Sequence, residues 1–201
     1  MLTGLQRRIS TGSHFWQWIL ALVLVSIGVC QIASGSYIYA KAELAQWLLN
    51  SAWQRTLAGE TKVKPWQWAD TWPVARLYLP ESETSLMVLS GSSLRNLAFG
   101  PGYMQGTSYP GTIGNTVIVG HRDTHFKDLA QLSVGQSLSI ETDDGRITNY
   151  RITDLVVADE SQTALLQSGD DYSLTLITCY PFDALVPGGP LRFVVRAKSA
   201  S

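Results

Sequence analysis

Hydrophobic and polar positions divide the 201-residue chain into stretches of different texture. Residues 15–40 hold no Asp, Glu, Lys or Arg, and their centre, Ile19-Leu20-Ala21-Leu22-Val23-Leu24-Val25-Ser26-Ile27-Gly28-Val29-Cys30, is almost wholly apolar. With its flanks this stretch reaches the roughly 20 residues that a helix needs to cross a bilayer. Leu44, Trp47, Leu48 and Ala52 then recur at three- and four-residue steps, the period of an amphipathic helix that ends near Gly59. Two placements suit that helix equally: as a stalk on the membrane, or packed on the following domain. Pro65 and Pro73 bracket an irregular, Trp-rich link.

From Pro73 onward the pattern becomes short apolar or alternating runs separated by turn residues. Residues 74–79, 86–89, 116–119, 137–142, 147–157, 174–178 and 191–196 read as strands, and Asp143-Asp144-Gly145-Arg146 is a hairpin signal between two of them. Residues 100–111, rich in Gly and Pro, read as loop. Only residues 126–132 and 162–167 suggest short helices. Many short strands at this spacing predict an all-β barrel or sandwich, and no internal repeat is present.

Composition sharpens the picture in two places. Charged residues make up 15% of the chain, below the roughly 25% of an ordinary soluble domain, and the uncharged stretch is the cause. The net charge of −1 argues against a nucleic-acid partner, and two cysteines cannot build a disulfide framework. Arg7 and Arg8 precede the apolar stretch and the first acid is Glu43, so the positive-inside tendency puts the N-terminus in the cytoplasm and the rest outside it. A cleaved signal peptide is the rival, since Ala33-Ser34-Gly35 offers small residues. The continuation through Tyr37 and Tyr39 favours an uncleaved anchor, and either reading exports the domain.

Reactive residue types are few. Cys30 lies in the apolar stretch and reads as a filler; Cys179 is the cysteine left in the exported part, with no partner there. It ends an apolar strand that Tyr180-Pro181 stops at once, a half-exposed position that suits a nucleophile better than a core residue. His14 falls on the cytoplasmic side. His121 ends another apolar strand after Gly120, which permits a turn or a close approach. His121 and His125 would need a third ligand to hold a metal, and Asp123 is a poor one. A thiol with an imidazole is a sufficient acid/base pair for acyl transfer. Attack on a carbonyl also calls for a group to stabilise the oxyanion. Arg192, at the start of the last strand, is nearer the loop that Cys179 opens than Arg196, which alternation puts on the same face but deeper. Each of these residues also has a bland reading: a buried thiol, a polar residue at a sheet end, a surface arginine.

Thr175-Leu176-Ile177-Thr178-Cys179 resembles the TLxTC signature of the sortases, membrane-anchored cysteine transpeptidases. The resemblance extends to Gly111-Thr112-Ile113-Gly114-Asn115-Thr116-Val117, to Gly120-His121-Arg122-Asp123-Thr124, to Tyr180-Pro181-Phe182 and to Pro190-Leu191-Arg192-Phe193-Val194-Val195, over residues 74–197. Cys-Tyr-Pro-Phe is similar to the class D and E types, and Trp66-Gln67-Trp68-Ala69-Asp70-Thr71-Trp72-Pro73 to the proteobacterial sortases. Many relatives carry an aromatic where His125 stands.

The resemblance implies a sortase β-barrel of about eight strands with short helices, preceded by one transmembrane helix. It implies Cys179 as nucleophile on the carbonyl after Thr of an LPxTG-like sorting signal, His121 as general acid/base, and Arg192 as oxyanion donor or holder of the peptide. A protein carrying that signal would be the substrate and an amine the acceptor, with no metal or organic cofactor. The chain then divides into residues 1–42, cytoplasmic N-terminus and anchor; 43–72, juxtamembrane helix and linker; and 73–201, catalytic domain. Two other classes share some of these features: another exported cysteine peptidase or an L,D-transpeptidase, and a non-catalytic tethered β-domain.

Overall fold

The computed structural model describes residues 11–80, 85–167, 169–184, 186 and 188–199, with the backbone alone for residues 11–14 and 165. Arg7, Arg8 and Pro187 lie outside the described residues, as does the side chain of His14. The chain forms two compact units, Met1–Leu44 and Ala45–Ser201.

Helix α1 runs from Thr11 to Leu57, so the apolar stretch and the amphipathic stretch belong to one helix where the pattern suggested two. No proline interrupts residues 11–57, and helix formation propagates cheaply once begun. In the first unit its apolar side chains are exposed, from Phe15 and Trp16 through Leu24 to Ile38. An 18-residue window there has a mean hydropathy of 2.0 with no residue buried, long and apolar enough to cross a membrane. Ser26, within that stretch, donates its hydroxyl to the Leu22 carbonyl at 2.8 Å and so has an acceptor inside the helix.

In the second unit, residues 45–57 bury Ala45, Leu49, Ala52, Trp53 and Thr56 along one face. The expected stripe is corrected by about one residue: Leu44 and Trp47 stay exposed, at 55% and 65%. The packing partner is the barrel. Arg76 of the first strand donates to Asn50 at 2.8 Å and lies 5.9 Å from the centre of the Trp53 ring. The small residues Ala45 and Ala52 belong to this inner face.

Eight strands close into a barrel: β1 (Pro73–Tyr78), β2 (Ser85–Ser90), β3 (Gly102–Tyr103), β4 (Gly114–Val119), β5 (Ser137–Thr142), β6 (Ile147–Asp159), β7 (Tyr172–Cys179) and β8 (Leu191–Ser199). Their order around the barrel is β1-β2-β3-β4-β7-β8-β6-β5. β2–β3 and β4–β7 pair parallel and the other neighbours antiparallel. Alternate side chains fill the interior, among them Leu77, Ile118, Ile140, Ile152, Leu174 and Val195. Full burial of such a side chain contributes about 1.5–3 kcal/mol.

Each expected strand is present, and the two expected short helices are 3₁₀ turns at Lys127–Gln131 and Thr163–Leu166. Two elements differ from the sequence reading. β3 lies inside the expected loop, where a Cβ on Gly102 would meet the Gly91 carbonyl oxygen at 2.5 Å, so only glycine lets these backbones pair. Helix α2 (Leu94–Leu97) is a single turn capped by Ser93, whose hydroxyl accepts from the Asn96 N–H at 3.3 Å.

Candidate active site

Register brings the chemistry together. β4 and β7 run parallel with Val119 opposite Ile177, and the pairing continues past β4 as Gly120 N–H donates to the Ile177 carbonyl at 3.1 Å. The buried Thr178 hydroxyl donates to the Gly120 carbonyl at 2.8 Å, which holds the two strand ends in step. The next residue of each segment is His121 and Cys179. On the other side of β7, Cys179 pairs directly with Arg192 of β8. The end of β4, the end of β7 and the start of β8 thus lie beside one another.

Strand parity puts Cys179 and Arg192 on one face. Leu174 and Leu176 point into the core, so Thr175, Ile177 and Cys179 face outward. By the same count Ile118 faces in while Val119 faces out, and Val195 faces in while Arg192 and Val194 face out. His121 lies two residues past the end of β4. Cys179 and His121 are half-buried. Val119, Ile177, Val194 and Arg192 line a cavity of about 180 Å³, with Ala158 and Glu160 on its far wall. The cavity has Val119, Ile177 and Val194 on its apolar side and Glu160 and Arg192 as its charged groups, while Cys179 and His121 are not among its lining residues.

Arg192 is anchored rather than free. Its Nη1 donates to the carbonyls of Gly189 and Leu191, at 2.6 and 2.9 Å, and its Nη2 to the Glu160 carboxylate. Arg196 faces the same way but pairs with Thr175, in mid-strand, and is exposed. It lines a separate polar cavity of about 250 Å³ with Asn115, Gln167 and Lys198.

Between the two readings of Gly120, close approach is what the structure requires: a Cβ there would lie 2.7 Å from the ring of Phe126. Phe126 is fully buried and packs in the core, so the bend after β4 wraps around it. His125 precedes it. Burial pushes the His125 imidazole below its ordinary value, a hydrogen bond to the Ala98 backbone works against that, and the charge of His121 adds to the lowering. Among the described residues no three of His, Cys, Asp and Glu gather with the spacing of metal ligands.

Past Cys179 the Tyr180–Pro181 peptide is cis. Tyr180, Phe182 and Phe193 stack and edge against one another at 5.2–6.3 Å between ring centres, covering the barrel end beside the thiol. Two polar neighbours of the site escaped the sequence reading. Glu160 follows β6 in a turn, where an acid is unremarkable. Arg122 lies inside the quoted Gly-His-Arg-Asp-Thr motif, yet no pattern of sequence alone reveals a buried guanidinium.

Comparison with known proteins is consistent along this whole region. Residues 77–200 match the family model of the sortase domain. Sortase D of Bacillus subtilis (strain 168) is 30% identical over 123 residues, which span 61% of this chain and 61% of that protein. A Clostridium perfringens sortase D5 transpeptidase superposes with a TM-score of 0.57 at 28% identity, covering 65% of this chain and 80% of the other. Sortase C-1 from Actinomyces oris superposes with a TM-score of 0.57 at 29% identity, covering 64% and 75%.

Proposed function

The chain belongs to the sortase family, and on that premise we propose that it is a membrane-anchored cysteine transpeptidase acting on an LPxTG-like sorting signal. The observation that supports this reading is that Cys179 pairs with Arg192 at the end of β7, while the Thr178 hydroxyl ties that end to Gly120, the residue before His121. A thiol and a guanidinium paired at a strand end, with an imidazole one residue past the neighbouring strand's last hydrogen bond, are more than a structural barrel needs.

The chemistry proceeds in two balanced steps. The Cys179 thiolate attacks the carbonyl after Thr; a C–S bond forms and, as the tetrahedral intermediate collapses, the C–N bond breaks. His121 in its charged form gives its proton to the departing amine. The incoming amine then attacks the thioester, His121 takes its proton, and the sulfur leaves as thiolate. Arg192 donates to the oxyanion or to the neighbouring peptide carbonyl, where a planar fork of N–H groups suits either role. To do so it exchanges part of its bonding to Glu160 for substrate.

Residues 15–40 act as an uncleaved anchor with the N-terminus inside, so the barrel works outside the cytoplasm, in the periplasm if the cell has two membranes. A reporter that folds only after export, fused after Ser201, should be active; activity of a strictly cytoplasmic reporter there would reject this orientation.

The deciding experiment incubates the full chain with a peptide bearing the sorting motif, with and without a primary amine. The expected products are a thioacyl adduct on Cys179 by mass spectrometry and amine-linked peptide. Hydrolysis alone, undiverted by amine, would favour an exported peptidase, and absence of any adduct a tethered, non-catalytic barrel.

A further inference from the structure

Arg122 is the one charged side chain in the buried set of the described residues, with 7% of it exposed. A buried cation destabilises a fold unless its N–H groups are matched. Here they are. Nε and Nη2 donate to the two carboxylate oxygens of Asp123, at 2.7 and 3.1 Å; Nη1 donates to the Pro181 carbonyl at 2.5 Å and Nη2 to the Ala184 carbonyl at 2.9 Å. Asp123 itself is 68% exposed, so its carboxylate meets both the guanidinium and water.

The positions of these partners matter more than their number. Arg122 directly follows His121, while Pro181 and Ala184 lie just beyond Cys179. The β4–β7 ladder ends at Gly120 and Ile177, and Arg122 joins the two segments beyond that point. The ion pair with Asp123 holds the guanidinium above its ordinary value against the cost of burial, and the charges of Cys179 and Asp183 act in the same direction. The bond from Arg122 in turn holds the Asp123 carboxyl below its ordinary value.

Resting on the reading of Cys179 and His121 given above, we propose that Arg122 is a positioning residue, which fixes the sulfur relative to the imidazole by clamping the Pro181 and Ala184 carbonyls to the strand end that carries His121. The clamp demands a planar donor that reaches two carbonyls and a carboxylate together, a task for arginine and not for lysine. Misplacement of a catalytic pair by about 1 Å costs up to about 10²-fold in rate.

The test uses the full chain in a Cys30→Ala background, so that Cys179 is the one thiol. Four quantities are measured for Arg122→Gln and Arg122→Lys: kcat and KM for transfer, the rate of Cys179 alkylation by iodoacetamide, and the melting temperature. The expected result is a kcat lowered about 10- to 100-fold with KM unchanged, alkylation at the parent rate, and little recovery of kcat in the lysine variant even where the melting temperature recovers. A merely structural arginine would instead lower the melting temperature and leave kcat per alkylatable thiol at the parent value, which overturns the proposal. If Arg122→Gln does not fold, exposed Asp123→Asn decides: it keeps both carbonyl bonds but frees the guanidinium plane, so a kcat loss of several-fold at constant KM supports the clamp and an unchanged kcat rejects it. Should Cys179→Ala retain transfer, the underlying reading fails; should Cys179→Ala be inactive while the Arg122 variants behave as the parent, the clamp alone fails.

Discussion

Arg192 and Arg196 stand on the same strand, face outward alike, and differ in almost everything else. Arg192 pairs with the strand-end Cys179, is largely covered, and is held by two carbonyls and Glu160. Arg196 pairs with Thr175, is exposed, and borders a polar cavity with Lys198. Alternation alone selects the face for both. What separates them is register: which residue of the neighbouring strand each one meets, and how far along the barrel that meeting lies. One pair meets where β7 stops and a loop opens, the other in mid-strand, away from that loop.

The largest effect that tests this contrast is at the thiol itself. Cys179→Ala should abolish both cleavage and transfer while the circular dichroism spectrum is kept, since it removes one half-exposed sulfur. Near-parent transpeptidation by that variant would end the nucleophile assignment. Next comes the arginine pair. Loss of one oxyanion donor typically costs about 10²–10³ in rate, so Arg192→Ala should lower kcat by that order and Arg192→Lys should recover little, while Arg196→Ala and Arg196→Lys leave steady-state kinetics close to the parent. Equal losses at both positions would replace a geometric role by a general electrostatic one.

A smaller effect is expected from Glu160. Exposed ion pairs are worth about 0–1 kcal/mol, so Glu160→Gln should ease recruitment of Arg192 to substrate and raise kcat/KM by about two- to fivefold. A fall in kcat/KM would mean that Glu160 orients the guanidinium rather than competes for it. The smallest lies at the opposite end of β6, in the hairpin after β5. Hydrogen bonds from Thr142 and from the Arg146 side chain and backbone bring the Asp144 carboxyl from its ordinary 3.8 down to about 2. A depressed folded-state value means that its stabilisation is present above about pH 3.8 and is lost as pH falls through about 2. Asp144→Asn should therefore lower the melting temperature slightly at pH 7, by a margin that vanishes near pH 2, with kcat untouched.

The barrel was legible where side chains alternate in polarity. The seven strands read from the sequence are there because alternation reports which residues face the core. β3 was hidden because Gly102 and Tyr103 carry no alternating signal; their pairing depends on backbones that approach through missing side chains. Of the stripe expected in residues 44–52, Ala52 is on the inner face; the rest was misphased because small Ala45 is buried there, whereas Leu44 and Trp47 attract attention by hydrophobicity. The residues of the site could be named from strand ends and turn chemistry. Their meeting could not, because β4–β7 is a parallel, long-range pair that no local pattern encodes. Arg122 was the least legible: its burial follows from two carbonyls in a loop nearly 60 residues downstream.

The place of β8 in the barrel bears on biosynthesis. β8 lies between β6 and β7, so that until it docks both of those strands present an open edge. A ribosome delivers Cys179 before it delivers Arg192, and both long after His121. The nascent polypeptide therefore carries a bare sulfhydryl with no finished site around it. Under the reading proposed here such a protein is made latent, and its reactivity arrives with the insertion of its final strand.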